Sequence, residues 1–218
     1  MKTLVIGDLH GRWEIAEAAL ATEHNVVFLG DYLDSFDRTS NECLGLLKTV
    51  TNAVLAEPGR VQALLGNHEM SYLKDEMVCG GHNTKTASGL WPGWNETLKH
   101  FTFAEGFLLS HAGVSQTMLE DTNTTLGEYL YNYDHLDIGH SRGGNRPTGG
   151  LLWCDWHDEF IHIEGVPQIV GHSEFRPAHK GLSEKGILER GGSYNVDCNG
   201  TVNQHLLIKA GKAEIIEL

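Results

Sequence analysis

Short apolar runs rich in β-branched residues recur along the chain, and five of them stop at a glycine-flanked Asp, Asn or His. Residues 3–6 run into Gly7-Asp8-Leu9-His10-Gly11, residues 25–29 into Gly30-Asp31-Tyr32-Leu33-Asp34, and residues 61–65 into Gly66-Asn67-His68-Glu69. Residues 107–109 meet Ser110-His111-Ala112-Gly113, and residues 168–170 meet Gly171-His172-Ser173. Runs of this kind predict strands. Polar residues placed directly after buried strands lie at a sheet edge, where they can converge on a ligand. The neighbouring glycines let the backbone turn sharply and let that ligand approach closely.

Further strands are predicted over residues 193–196 and 206–209, and apolar spacing of three and four predicts helices over 13–21 and 41–56, the second capped by Ser40 or Asn41. The order is β-α-β-α-β, then mostly β. It predicts an α/β chain with parallel strands, crossover helices and an antiparallel C-terminal section. No Pro/Gly/Ser-rich linker divides the 218 residues, so residues 1–218 are read as one domain. Residues 70–105 and 114–150 are less regular, with paired glycines, and are read as excursions over the site.

Composition narrows the function classes. A hydrophobic fraction of 40% with 21% charged residues fits an ordinary soluble enzyme. No run approaches the roughly 20 apolar residues that span a bilayer, and a strand stands where the cationic and apolar regions of a signal peptide would be. A cytoplasmic protein with no membrane partner is expected. A formal charge of -13 opposes extended nucleic-acid binding, which needs clustered Lys and Arg. Cys43, Cys79, Cys154 and Cys198 form no CxxC pair and are read as buried, reduced thiols.

Taken singly, each motif has a plain explanation: a strand-end Asp is often a turn residue or a helix cap, and a lone His a structural one. Together they supply Asp, Asn and His donors suited to manganese, iron, zinc or nickel. No motif holds a thiolate, which opposes a cysteine-bound structural zinc.

GDLHG, GDYLD, GNHE, SHAG and VGHS, in that order, resemble the calcineurin-like metallophosphoesterases, and within them the compact bacterial and bacteriophage serine/threonine phosphoprotein phosphatases. The segment Leu151-Leu152-Trp153-Cys154-Asp155 is similar to that family's LLWSDP. The resemblance implies an α/β four-layer sandwich, two mixed β-sheets flanked by helices, with the metal site at the carboxyl ends of the strands. It implies two divalent ions, Mn2+ foremost with Fe, Zn or Ni as substitutes. Asp8 and His10 then hold the first ion, Asp31 bridges, and Asn67, His111 and His172 complete the second. His68 is the implied general acid, oriented by Asp34. A carboxylate between two dications lowers their mutual repulsion, and ions about 3.5–4 Å apart can clamp a phosphoryl oxygen and activate water.

The implied activity is hydrolysis of phosphate monoesters, phosphoserine and phosphothreonine in proteins or small phosphoesters. The alternative within the superfamily is a diadenosine-tetraphosphate hydrolase or nucleotide phosphodiesterase, in which Trp91, Trp94, Trp153 or Trp156 stacks on a base. A catalytically silent metal-binding module is disfavoured, because His68 and Asp34 contribute nothing to a purely structural cage.

The second motif departs from the family's GDxxDRG, whose Arg grips the phosphate: Ser35 stands at the Arg position. Two repairs are open. Arg38 swings back to the phosphate with Asp34 still the partner of His68, which is favoured, or Asp37 and Arg38 form the functional pair with Asp34 displaced. For the family's second phosphate-binding Arg, Arg142 and Arg146 are candidates by location alone.

Overall fold

The protein, seen in a computed structural model, is described over residues 1–74, 76–174, 186–198 and 202–218. Strands β1 (Thr3–Ile6), β2 (Asn25–Phe28), β3 (Val61–Leu64) and β4 (Leu98–Lys99) pair in parallel. The opposite edge of β1 takes β10 (His205–Lys209), which pairs with β11 (Lys212–Ile216), both junctions antiparallel. A second sheet has the order β5-β6-β7-β9-β8, from β5 (Phe101–Ala104), β6 (Phe107–Ser110), β7 (Gln168–Val170), β8 (Leu188–Arg190) and β9 (Ser193–Asn195). Its middle strands β6, β7 and β9 are parallel and both edges antiparallel.

Two mixed sheets therefore face each other. Val5, Val27, Leu64, Phe107, Leu109, Ile169 and Ile208 fill the space between them. On the outer face of the first sheet, Leu4, Ile6 and Phe28 pack with Ala16 and Ala19 of α1 (Trp13–Leu20) and with Leu46, Leu47 and Val50 of α2 (Ser40–Ala56). Beyond the second sheet, Leu108 packs with Met118 of α5 (Gln116–Thr122) and Tyr129 of α6 (Leu126–Asn132). The central parallel strands β1, β2, β3, β6 and β7 are short and almost wholly buried, as expected of parallel sheets covered by helices, while β5, β8 and β11 are partly exposed.

Strand and helix positions agree with expectation to within a residue or two at their ends, and three details differ. The second helix is capped by Thr39 rather than Ser40 or Asn41: Thr39 Oγ1 accepts from Glu42 N–H while the Glu42 carboxylate accepts from Thr39 N–H. This reciprocal box satisfies two orphan donors at once, which a lone Ser or Asn does not. The 70–105 excursion lies only partly over the site, because it also carries α4 (Thr84–Gly89) and the sheet strands β4 and β5. The first part of 114–150, from Val114 to Tyr133, covers the second sheet through α5 and α6. Among the described residues no helix is long and apolar enough to cross a membrane.

The strands β1, β2 and β3 end side by side, with Ile6 opposite Phe28 and Phe28 opposite Ala63. The parallel pair β6 and β7 ends on the facing sheet. The five motifs of the sequence thus share one edge of the sandwich.

Candidate active site

At that edge lies a cavity of about 550 Å³, lined by Asp8, His10, Asp31, Asn67, His68 and His172 among others. Asp31 is its centre. Its Oδ2 lies 3.6 Å from His10 Nε2, 3.5 Å from His111 Nε2 and 3.8 Å from His68 Nε2. Two overlapping donor groups result, one of His10, Asp31 and His68, the other of Asp31, His111 and His172, and both contain Asp31.

The imidazoles are oriented from behind. His10 Nδ1–H donates to the carbonyls of Leu33 (3.0 Å) and Asp34 (2.7 Å), and His111 Nδ1–H to the carbonyl of Leu29 (3.1 Å). A carbonyl only accepts, so each Nδ1 carries the proton and each Nε2 turns a lone pair to the cavity. Burial lowers the pKa of His111, and burial followed by the Arg142 charge lowers that of His172 far further. Burial thus favours the neutral form, the one that binds a metal, against the pull of the Asp31 charge on His111. Asp31 is acidic despite its burial, because His111, His68 and His10 favour its charge.

Asn67 closes the second group. Its amide nitrogen donates to Cys79 Sγ (3.1 Å), so Oδ1 faces His111 Nε2 at 2.8 Å and His172 Nδ1 at 2.9 Å. An amide oxygen against the lone pair of a neutral imidazole sets acceptor against acceptor. A shared divalent cation turns that repulsion into coordination, and this donor set fits manganese, iron, zinc or nickel. Asp8 stands slightly apart: both its oxygens accept from His172 N–H at 3.0 Å, and burial together with Asp197 and Asp31 raises its pKa.

The backbone is strained where the donors sit. His10 (φ 44), Asp31 (φ 53), Asp34 (φ 55) and His172 (φ 67) occupy the left-handed region, which costs on the order of 1–3 kcal/mol each for residues other than glycine. Buried Glu69 holds the second of these turns, accepting from the N–H groups of Asp31, Tyr32, Leu33 and Gly66 at 2.8–3.1 Å. Two glycines are required by close approach: a Cβ would stand 2.1 Å from Asp31 Oδ1 at Gly66 and 2.1 Å from Asp8 Oδ1 at Gly171.

His68 differs from the other histidines. Its Nδ1 lies 3.0 Å from Asp34 Oδ2. Burial disfavours its charge, but the carboxylates of Asp31 and Asp34 outweigh burial and push its pKa up to about 9. The shift favours its protonated form, the state that can give up a proton. Of the two carboxylates weighed from the sequence, Asp34 lies beside His68, while Asp37 lies beside Arg12.

The arginines require a correction. Arg38 does not line the cavity; it is paired with Glu14 and reaches Glu42 at 3.8 Å. Arg146 is also held elsewhere, on Asp137 at 3.0 Å. The cavity-lining arginines among the described residues are Arg142 and Arg12. Arg142 pairs with Asp155 (2.9 Å) and approaches Ser173 Oγ and the His172 carbonyl. Arg12 pairs with Asp37 at 3.3 Å. The sequence reading does not single out Arg12; its signal is its place directly after the first motif, just before α1.

Three more residues escaped the motif pattern. Tyr72 and Cys79 come from the 70–105 excursion. Asp197 follows β9 as Asp8 follows β1, and burial with the charges of Glu174 and Asp31 raises its pKa to about 8. Of the four tryptophans considered for base stacking, Trp153 alone lines this cavity, with 9% exposed; Trp94 and Trp156 are core residues, and Trp91 lines a separate groove.

The model of the calcineurin-like phosphoesterase family matches residues 1–202. No curated protein sequence matches the chain. The chain superposes on a cold-active protein-tyrosine phosphatase of the psychrophile Shewanella sp. with a TM-score of 0.62 at 16% identity, covering 99% of this chain and 80% of that one. A protein serine/threonine phosphatase of Saccharomyces cerevisiae gives 0.57 at 17% identity, covering 100% and 80%. At these identities the likeness is one of fold.

Proposed function

The chain belongs to the calcineurin-like phosphoesterases, a metal-dependent family of hydrolases, and from that membership we propose that it hydrolyses phosphate monoesters, phosphoserine and phosphothreonine in proteins foremost. Asp31 carries this reading, since both donor groups meet on its carboxylate beside the His68–Asp34 pair. Asp8, His10 and Asp31 would hold one divalent ion, and Asp31, Asn67, His111 and His172 a second, Mn2+ being the expected metal. When bound, the ions supply positive charge for the phosphoryl oxygens and make water acidic enough to attack at neutral pH.

The remaining chemistry falls to the chain's own side chains. Asp31, common to both donor groups, would lower the repulsion between two bound cations. His111 and His172, neutral through burial, present lone pairs without a proton to shed. Arg142 and Arg12 line the cavity as the groups that grip the phosphate, in place of the Arg absent at Ser35. As the ester P–O bond breaks, His68 passes a proton to the leaving oxygen, and Asp34 on Nδ1 keeps its other nitrogen turned to the cavity.

Metal-stripped protein titrated with Mn2+ tests the reading with p-nitrophenyl phosphate, then with phosphoserine peptide, dinucleoside polyphosphate, cyclic nucleotide and single-stranded DNA side by side. Metal-dependent turnover with a preference for the monoesters is expected. Binding of Mn2+ without hydrolysis of any of these would sink it.

A further inference from the structure

The excursion that follows α3 (Asn67–Met70) sends a tyrosine hydroxyl to the carboxylate behind His68. Tyr72 Oη donates to Asp34 Oδ1, while Asp34 Oδ2 faces His68 Nδ1 at 3.0 Å. The two oxygens of one fully buried carboxylate are thus engaged by two different side chains. Tyr72 is directed in turn. Asn83 N–H donates to Tyr72 Oη at 3.1 Å, which occupies the oxygen as an acceptor and leaves the hydroxyl proton for Asp34. Gly81, at φ 89, lets this segment lie against Asp34, since a Cβ there would stand 3.0 Å from the Asp34 Cβ. The Tyr72 ring stacks on His82 with centroids 4.1 Å apart and planes 18° apart.

We propose that Tyr72 is a positioning residue for the general acid: its hydroxyl fixes the plane of the Asp34 carboxylate, and through it the direction in which His68 presents Nε2 to the leaving oxygen. The inference rests on the reading of His68 as general acid. A carboxylate held at one oxygen turns about its Cβ–Cγ bond; held at both, it does not. Asp34 also accepts His10 Nδ1–H on its backbone carbonyl, so the same residue orients a metal-facing histidine by its main chain and the proton donor by its side chain. Tyr72 acts only on the second. Its removal should leave the cage intact and disturb proton delivery alone.

The general acid matters when the leaving group is poor and little when it is good. The experiment compares turnover of full-length, Mn2+-loaded protein on a phosphoserine peptide, whose alkoxide needs the proton, and on p-nitrophenyl phosphate, whose leaving group does not. Tyr72→Phe keeps the ring on His82 and removes only the hydroxyl. We expect kcat on the peptide to fall about tenfold, the usual order for loss of an outer-shell partner. On p-nitrophenyl phosphate it should stay within about twofold, with Mn2+ affinity unchanged. In a His68→Asn background the same substitution should have no further effect on the peptide. In the proton NMR spectrum of the metal-free protein, the hydrogen-bonded His68 Nδ1–H signal should broaden or shift on Tyr72→Phe. Equal losses on both substrates, no loss on either, or additive effects with His68→Asn would overturn the role of Tyr72. If His68→Asn itself slows both substrates equally, the general-acid reading falls, and the role of Tyr72 falls with it.

Discussion

Two buried glutamates hold the two halves of the cavity, and they do so from different kinds of structure. Glu69 collects four backbone N–H groups from the ends of β2 and β3, two adjacent strands of one sheet. Glu159 collects the N–H groups of Ser141, Gly149 and Asp155 and the hydroxyl of Ser141, from a single 3-10 turn, His140–Arg142, and from irregular chain. The first fixes Asp31, the shared donor of the cage. The second fixes the loop that carries Arg142 to its partner Asp155. The metal half is thus tied to strand ends, whose positions the sheet already sets. The phosphate half depends on loop-to-loop bonds alone.

The sharpest separation of chemistry from cage is His68→Asn, which should lower turnover of alkyl esters by roughly 10²- to 10⁴-fold, the range of general acid catalysis, with Mn2+ affinity nearly intact. Unchanged turnover on a phosphoserine peptide would remove His68 from its role. Glu69→Gln should follow in size. Its amide must turn an NH2 toward backbone donors, so urea unfolding should show a loss of about 3 kcal/mol, and calorimetry a 10- to 100-fold weaker Mn2+ affinity.

Acid tests the sheet that carries the same half. His205, at the start of β10 beside β1, donates to Asn203 Oδ1 (2.7 Å), and burial lowers its pKa to about 4. The unfolded chain takes up that proton first, near 6.5. The stability that His205 contributes is therefore whole above about pH 6.5 and is lost as pH falls toward 4, a difference of about 3.5 kcal/mol at about 1.4 per pKa unit. Denaturation curves of His205→Gln should be flatter across that window; parallel curves would refute it.

In the phosphate half the expected effects are smaller and confined to substrate. Glu159→Gln and Arg142→Lys should each raise KM about tenfold with Mn2+ affinity unchanged. If Glu159→Gln instead weakens metal binding as Glu69→Gln does, the two halves are not independent. Smallest of all, Arg38→Ala should change KM by less than about twofold, since Arg38 is spent on Glu14 and Glu42. A large effect would restore it as the phosphate anchor.

The sheet order shows why one half was legible in the sequence and the other was not. Asp8, Asp31, Asn67, His111 and His172 follow predicted strands directly, and a strand end fixes where the next residue lies. Their meeting needed only the rule that parallel strands end together. Strand β4 has two residues and β5 follows it after one, too short to show alternation. Arg38 looked like the repair for Ser35 because it is near in sequence, yet Glu14, on a different helix, captured it. Tyr72 meets Asp34 across 38 residues, a distance no local pattern reports.

What the sequence determined by itself was the family resemblance, the β-α-β-α-β order of the first strands and helices, and the donors set at the ends of those strands. It did so because strand periodicity and strand ends are local properties. The tertiary structure alone decided which arginines line the cavity, that nearby carboxylates push the pKa of His68 up while burial lowers those of His111 and His172, and that Tyr72 and Cys79 stand behind Asp34 and Asn67. The reason is that charge and side-chain direction in a buried site are set by neighbours brought from distant parts of the chain.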